Sequence, residues 1–385
     1  MRLLHTSDWH LGRSFHNQSL REAQEAFVDF LVETVTEHGV DVVLVAGDLY
    51  DRAIPPVDAV AVFDRALSQL AALGVAVVLI SGNHDSTARL QFGNELFATA
   101  NVHLRTQLGS KIDPVVLNDS HGPVLIYPIP YLEPELTWVD LEAIGPRHDA
   151  VLSAAMDGVR DNLASHPAGT RSVILAHGFV GDIGSSTLSE SERDINVGGT
   201  AIVPAAVFEG ADYVALGHLH GFQQPVPDRI VYSGSPIAYS FSEQRHTKSV
   251  TLVDLAADGS VNTEQLPVPV WRSVSSIEGT LESLLNDPRW AAYEGHWLSI
   301  TLTDETVPPE PMGRLRRRFA HVLQLVVTVR TSVATGSYRE RIEGLSDLAM
   351  FERFVNDMWN RPPDPTEDEL LARSLRSVAT ADALR

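Results

Sequence analysis

The sequence contains no cysteine. Disulfides and thiolate metal sites are therefore excluded, and a reducing cytoplasm is compatible with the chain. Long apolar runs are also absent. None approaches the roughly 20 residues needed to span a bilayer, so no membrane contact is expected. The amino terminus enters a strand pattern within a few residues, so no signal peptide is expected. No internal repeat and no long low-complexity segment appears. Positive charge is scarce: 29 Lys and Arg stand against 50 Asp and Glu, a formal net charge of −21. That balance disfavours holding DNA through a broad basic surface. If the substrate is nucleic acid, metals or a partner must offset the repulsion.

What is present is an ordinary globular composition, 44% hydrophobic and 21% charged over 385 residues. This is enough for a large core and two or three domains. Within it one arrangement recurs. Val75-Ala76-Val77-Val78-Leu79-Ile80 feeds the turn Ser81-Gly82-Asn83-His84-Asp85. Leu3-Leu4-His5-Thr6-Ser7 ends in Asp8-Trp9-His10, and the run 40–46 ends in Gly47-Asp48. Val173-Ile174-Leu175-Ala176 ends in His177-Gly178, and Tyr213-Val214-Ala215-Leu216 ends in Gly217-His218-Leu219-His220. Five apolar runs thus stop at residues able to ligate a metal. Open α/β sheets bind ligands outside the carboxyl ends of their strands.

The order of elements supports an α/β class. Strands near 2–7, 40–46 and 75–80 alternate with helices that begin at a capping box, Ser19-Leu20-Arg21-Glu22, and at about residue 57, which predicts a parallel sheet. Shorter strands are expected over 101–132, and a helix over 149–164 precedes the His177 strand. The polar segment 179–199 reads as a loop that is either functional or mobile. Residues 229–232, 249–254 and 261–266 read as antiparallel strands. Pro267 and Pro269 mark a boundary. Beyond it lies a small α+β unit whose helix, 312–319, carries Arg314, Arg316, Arg317 and Arg318. Two amphipathic tail helices, near 346–359 and 366–379, follow. Their apolar stripe includes Leu345, Leu348, Phe351, Phe354, Val355, Met358 and Trp359, and must dock on its own body or another chain.

Asp, Asn and His are N/O ligands that suit Mn, Fe or Zn. Asp8 and His10, like His218 and His220, lie two apart on extended segments and can point the same way. Asp48 ends a central-looking strand, where one carboxylate can bridge two ions that clamp a phosphoryl group. His84 can face the substrate and protonate a leaving oxygen. A lone His after a strand reads as a hydrogen-bonded turn residue, and a lone Asp as a cap. Five such ends in this order do not. The other ten histidines, among them His38, His121 and His166, read as surface residues. Asp85 reads as a turn or supporting residue, and Asp51 as a loop residue bonded to Arg52 or the backbone.

Asp-x-His, Gly-Asp, Gly-Asn-His-Asp, His-Gly and Gly-His-x-His resemble the calcineurin-like metallophosphoesterase superfamily over roughly residues 1–265. The stretches 5–12, 46–51, 81–85, 216–220 and Tyr232-Ser233-Gly234-Ser235-Pro236 are similar to its SbcD branch, bacterial nuclease subunits that work with an SMC-like ATPase. The resemblance implies a core of layered sheets flanked by helices over 1–267, a small α+β capping domain over 268–335 and a helical tail over 336–385. It implies two divalent ions, manganese by expectation. One would be held by Asp8, His10, Asp48 and His220, the other by Asp48, Asn83, His177 and His218, with His84 catalytic. Asp51 stands where archaeal relatives often carry a histidine. The implied activity is an ATP-stimulated 3′→5′ exonuclease on double-stranded DNA ends and a single-strand or hairpin endonuclease. Its setting would be DNA repair, recombination and replication, in the cytoplasm at the nucleoid.

The implied partners are an SbcC-like SMC-type ATPase, DNA ends and hairpins, and a second copy of the chain within a heterotetramer. The chain has no GxxxxGK(S/T) phosphate-binding loop, so any ATP dependence must come from another chain. Arg314, Arg316, Arg317 and Arg318 read either as phosphate contacts from the cap or as a solvated helix face. Leu348, Phe351, Phe354, Val355 and Met358 offer the docking surface for the ATPase. A stand-alone phosphodiesterase of nucleotides or other small molecules shares every metal motif, but the cap and tail argue against it. A non-catalytic scaffold is opposed by the full ligand set.

Overall fold

The computed structural model describes residues 1–108, 112–181, 189–192, 202–328, 344–359 and 361–382; the side chains of 357–359 and 375–382 lie outside the description. Most of the expected 179–199 loop also lies outside the described residues. Two units are distinguished. The first comprises Met1–Ile277, Trp290–Ser299 and Phe319–Gln324; the second comprises Glu278–Arg289, Ile300–Arg318 and Leu325–Arg385.

The first unit is built on two six-stranded sheets. One has the order β14 (Val261–Pro267), β13 (Ser249–Leu255), β1 (Arg2–Thr6), β4 (Val42–Ala46), β5 (Ala76–Ile80), β6 (Val102–Arg105). The other runs β11 (Gln223–Val226), β12 (Ile230–Tyr232), β10 (Tyr213–Gly217), β9 (Arg171–His177), β8 (Gly122–Pro128), β7 (Val115–Asp119). Ser14–Phe15 (β2) and Gln18–Ser19 (β3) form a hairpin.

Strand alternation explains the layering. Leu3, Val42, Leu44, Val78 and Ile80 of the first sheet meet Val124, Ile126, Val173, Leu175 and Ala215 of the second in one buried cluster. The alternate residues Leu4, Val43, Val45, Val77 and Leu79 face outward onto helices α1 (Arg21–His38) and α2 (Val57–Ala72). On the far side Leu125, Tyr127, Ile174, Val214 and Leu216 pack with Met156 and Val159 of a third long helix, His148–Ala164. Each fully buried Val, Leu or Ile contributes roughly 1.5–3 kcal/mol, so both faces of both sheets drive the sandwich. Three short helices, α3 (Thr87–Leu90), α4 (Asn94–Ala98) and α5 (Pro134–Thr137), lie in the connections, which makes the third long helix α6.

β1, β4, β5 and β6 pair in parallel, as do β8, β9, β10 and β12, so their carboxyl ends gather at one edge of each sheet. Residues 229–232, expected antiparallel, pair antiparallel with β11 on one side and in parallel with β10 on the other. The chain first makes β11 at the edge and then inserts β12 between β11 and β10. Pro225, in β11, is tolerated there because an edge strand leaves one side of its ladder unpaired. The expected capping box is absent. Leu20 occupies the cap of α1 with no side-chain cap bond, and Ser19 Oγ accepts from Arg21 N at 3.2 Å.

A three-stranded sheet follows, in the order β15 (Val274–Gly279), β16 (Trp297–Leu302), β17 (Val322–Val327). The second unit holds α7 (Leu281–Asn286) and α8 (Pro311–Leu315). α8 is shorter than the expected 312–319 helix. The tail helices are α9 (Asp347–Trp359) and α10 (Pro365–Asp382), which pack together. Among the described residues, no helix is long and apolar enough to cross a membrane.

Candidate metal centre

The strand-end residues converge. Oxygen or nitrogen atoms of Asp8, His10 and His220 lie within 4.8 Å of one another, as do those of Asp8, Asp48 and His177 and those of His10, Asp48 and His84. Asp8, His10, Asp48, His177, His218 and His220 are buried, whereas Asn83 and His84 are half-buried. Unusual backbone holds them. Asp8, His10, Asp48 and His218 have φ of 54°, 43°, 50° and 107°, a region that L residues seldom occupy and that clusters at functional sites.

Close approach at the strand ends admits only glycine. A Cβ on Gly217 would come within 1.8 Å of Ala46 O and 2.8 Å of His177 Nδ1. One on Gly82 would lie 2.1 Å from Asp48 Oδ1. Asp85, the expected supporting residue, accepts from Leu49 N, Tyr50 N and Gly82 N at 2.9–3.0 Å. It thereby ties the Asp48 loop to the Asn83 loop. The His84 N–H donates to Asp48 Oδ1 at 2.9 Å, and the His218 N–H donates to the Asp8 carboxylate at 3.0 Å.

The polar atoms face one another as a cation would require. His177 Nδ1 donates to Ala46 O at 2.8 Å, which leaves Nε2 facing Asn83 Oδ1 at 3.0 Å and Asp48 Oδ2 at 3.5 Å. His10 Nε2 lies 3.1 Å from His220 Nε2 and 3.6 Å from Asp48 Oδ2. His10 Nδ1 and Asn83 Nδ2 are buried without hydrogen-bond partners. Carboxylate oxygens and ring nitrogens that converge in a buried site suit a divalent ion, and the donor set is of the N/O type.

Charge follows from the same geometry. Burial drives His10, His218 and His220 toward the neutral form, with His218 lowered to about 3. Burial pushes Asp8 up to about 7. Burial also opposes charge on His177, but the Asp48 and Asp8 carboxylates outweigh it and raise this group to about 9. Asp48 in turn, despite burial, is held well below the usual carboxylate range by His177 and His10.

Other expected residues are placed as follows. His218 stands edge-on to His177, ring centroids 5.5 Å apart, but is in none of the three convergent groups found among the described residues. His84 Nδ1 donates to Asp51 O at 2.7 Å. The Asp51 carboxylate lies 3.4 Å from Arg13 and 3.7 Å from His10 Nδ1, so its ion partner is Arg13 rather than Arg52. Arg316 and Arg317 are exposed, while Arg314 and Arg318 are half-buried. Arg318 donates to Leu284 O and Asp287 O, serving the end of α7. Phe351 and Phe354 are 46% and 50% exposed, Leu348 is half-buried and Val355 is buried. The Met358 side chain lies outside the described residues.

Two of the histidines read as surface residues are buried. His5 takes an inter-sheet position and meets Tyr213 Oη at 2.9 Å and Leu216 O at 3.1 Å; His148 is 7% exposed. Sequence reasoning also missed a network behind His220, made of Ser191, Glu192, Glu243 and Lys248. These residues follow no strand end. The only signal was the polar tract Ser189-Glu190-Ser191-Glu192.

Comparison with known proteins agrees with this geometry. Residues 1–222 match the calcineurin-like phosphoesterase model, and residues 270–358 match a model described as the type 5 capsule protein repressor C-terminal domain. The D subunit of nuclease SbcCD from Escherichia coli strain K12 is 32% identical over 96% of this chain and 96% of its own length. The same protein of Escherichia coli O157:H7 gives the same values. Among solved structures, TT1561 of Thermus thermophilus aligns with 69% of this chain and 98% of its own, at 14% identity and a TM-score of 0.39. The chain therefore belongs to the calcineurin-like phosphoesterases, metal-dependent enzymes of phosphate esters, and within them to the SbcD family, the nuclease component of SbcCD.

Proposed function

We propose that the chain is the nuclease subunit of a DNA-repair complex, cutting double-stranded DNA ends and hairpins with two divalent ions, manganese in the first instance. The observation that carries this reading is the buried meeting of Asp8, His10, Asp48, His177 and His220, whose potential ligand atoms converge. Asp8, His10, Asp48 and His220 would hold one ion. Asp48, Asn83, His177 and His218 would hold the other. Such ions supply Lewis acidity and lower the pKa of water.

The chain's own groups do the rest. Asp48 is oriented by the His84 N–H. His84 keeps a proton on Nδ1 by donating it to Asp51 O, which leaves Nε2 for the substrate. A proton on that atom can pass to the leaving oxygen. Gly217 and Gly82 let the strand ends approach Ala46, His177 and Asp48 closely. The two expected domains beyond 267 would serve recognition, Arg316 and Arg317 meeting phosphates and the exposed faces of Phe351 and Phe354 meeting the SMC-like ATPase.

The test is manganese-dependent cleavage of end-labelled duplex DNA, with and without the co-purified ATPase and ATP. Asp48→Ala and bis-p-nitrophenyl phosphate serve as controls. Cleavage that needs Asp48 and rises with the partner supports the proposal. Hydrolysis of the small ester with inert DNA would instead favour a small-molecule phosphodiesterase. Deleting residues 345–385 should abolish partner binding and spare hydrolysis of the small ester. Retained binding would remove the tail from the interface.

A further inference from the structure

An imidazole that offers one ring nitrogen to a cation must carry its proton on the other, and that N–H needs an acceptor. His177 uses Ala46 O at 2.8 Å. His84, assigned to the substrate rather than to an ion, likewise has a main-chain partner, Asp51 O at 2.7 Å. For His220, among the described residues, no main-chain carbonyl takes this role. Its Nδ1 instead lies 2.7 Å from Ser191 Oγ and 3.4 Å from Glu243 Oε1. The Ser191 hydroxyl donates to the same Glu243 oxygen.

Glu243 is itself fixed. Its second oxygen pairs with the Lys248 ammonium, and both residues are buried, at 1% and 9% exposure. Lys248 also donates to His220 O and Ser235 Oγ, each at 2.9 Å. From the other side, Glu192 Oε1 accepts the His220 N–H at 2.7 Å. His220 is thus gripped at its ring, its amide and its carbonyl by side chains from two loops. A buried charge pair is weak evidence of a stabilising role, because desolvation offsets much of its attraction. Its placement beside one ring nitrogen calls for another account.

We propose that Glu243, held by Lys248 and acting through Ser191, is a positioning residue that keeps the His220 proton on Nδ1 and turns Nε2 to the metal centre. The proposal rests on reading the cluster as a metal centre. It adds that one side of that centre is adjustable through side chains, without change to the sheets.

Two variants of the full chain test it, because Glu243→Gln alone leaves the Lys248 charge buried and unpaired. Ser191→Ala cuts the relay and spares the ion pair. Glu243→Gln with Lys248→Met removes both charges together. Manganese affinity is read by calorimetry, the metal-free melting temperature by scanning calorimetry, and kcat and KM on bis-p-nitrophenyl phosphate across manganese concentrations. Both variants should weaken one manganese step about 10–100-fold. Activity should return at saturating manganese, Ser191→Thr should restore the affinity, and the Ser191→Ala melting temperature should match wild type. Unchanged affinity in Ser191→Ala overturns the proposal whether or not the double variant folds. Wild-type protein that binds no manganese would instead refute the metal-centre reading itself.

Discussion

The two sides of the strand-end cluster hold their histidines by different means. On one side, His177 is the last residue of β9, and its Nδ1 is fixed by the main-chain oxygen of Ala46, the last residue of β4. Forming the two sheets is enough to set that ring. On the other side, His220 lies past the end of β10 and depends on Ser191, Glu192, Glu243 and Lys248. The first arrangement comes with the fold. The second requires side chains far apart in sequence, so substitution can alter it while the sandwich persists.

Asp48 belongs to both sides, 3.5 Å from His177 Nε2 and 3.6 Å from His10 Nε2. Asp48→Ala is therefore expected to abolish hydrolysis and weaken every manganese step seen by calorimetry. Loss of one step alone would break the symmetry assigned to this carboxylate. Next in size is Gly217→Ala, which strikes the main-chain side only. Its Cβ cannot coexist with Ala46 O at 1.8 Å, so the sheets must separate locally. Destabilisation of roughly 3 kcal/mol or more is expected in urea unfolding, at the upper end of overpacking changes.

His84→Ala sharpens the comparison differently. This ring is also held by a main-chain oxygen, that of Asp51, yet it is assigned to the proton rather than the ion. The variant should lose about 10²–10⁴-fold in kcat and keep its manganese. Metal loss would turn His84 into a ligand, in keeping with its place beside His10 and Asp48.

The smallest expected effect is a proton count. In the metal-free protein His177 is raised to about 9, above the roughly 6.5 of a free imidazole. This pairing contributes stability that is full below about pH 6.5 and is lost as pH rises through about 9. Manganese must displace the proton, so binding at pH 7.5 should release at least one proton per chain. Calorimetry in buffers of different ionisation enthalpy measures it. No release would mean that His177 is not a ligand.

Strand ends were legible because each apolar run stops at a ligating residue and parallel strands bring such stops to one edge. The convergence of Asp8, His10, Asp48, His177 and His220 follows from that pattern. His5 was not legible, because strand alternation places a polar ring between two sheets where only Tyr213 and Leu216 O, distant in sequence, satisfy it. β11 was hidden by Pro225, and with it the parallel insertion of β12. Glu243 and Lys248 sit at and just beyond a single-turn segment, Phe241–Arg245, with no periodicity to mark them. Their role appears only when the loop of Ser191 is folded beside them.

The most direct measurement is an anomalous-scattering map of the full chain crystallised with manganese. The account predicts two peaks sharing Asp48, one also against Asp8, His10 and His220, the other against Asn83, His177 and His218. No peak at the strand ends, or a single peak that leaves His177 or His220 outside its ligands, would contradict it.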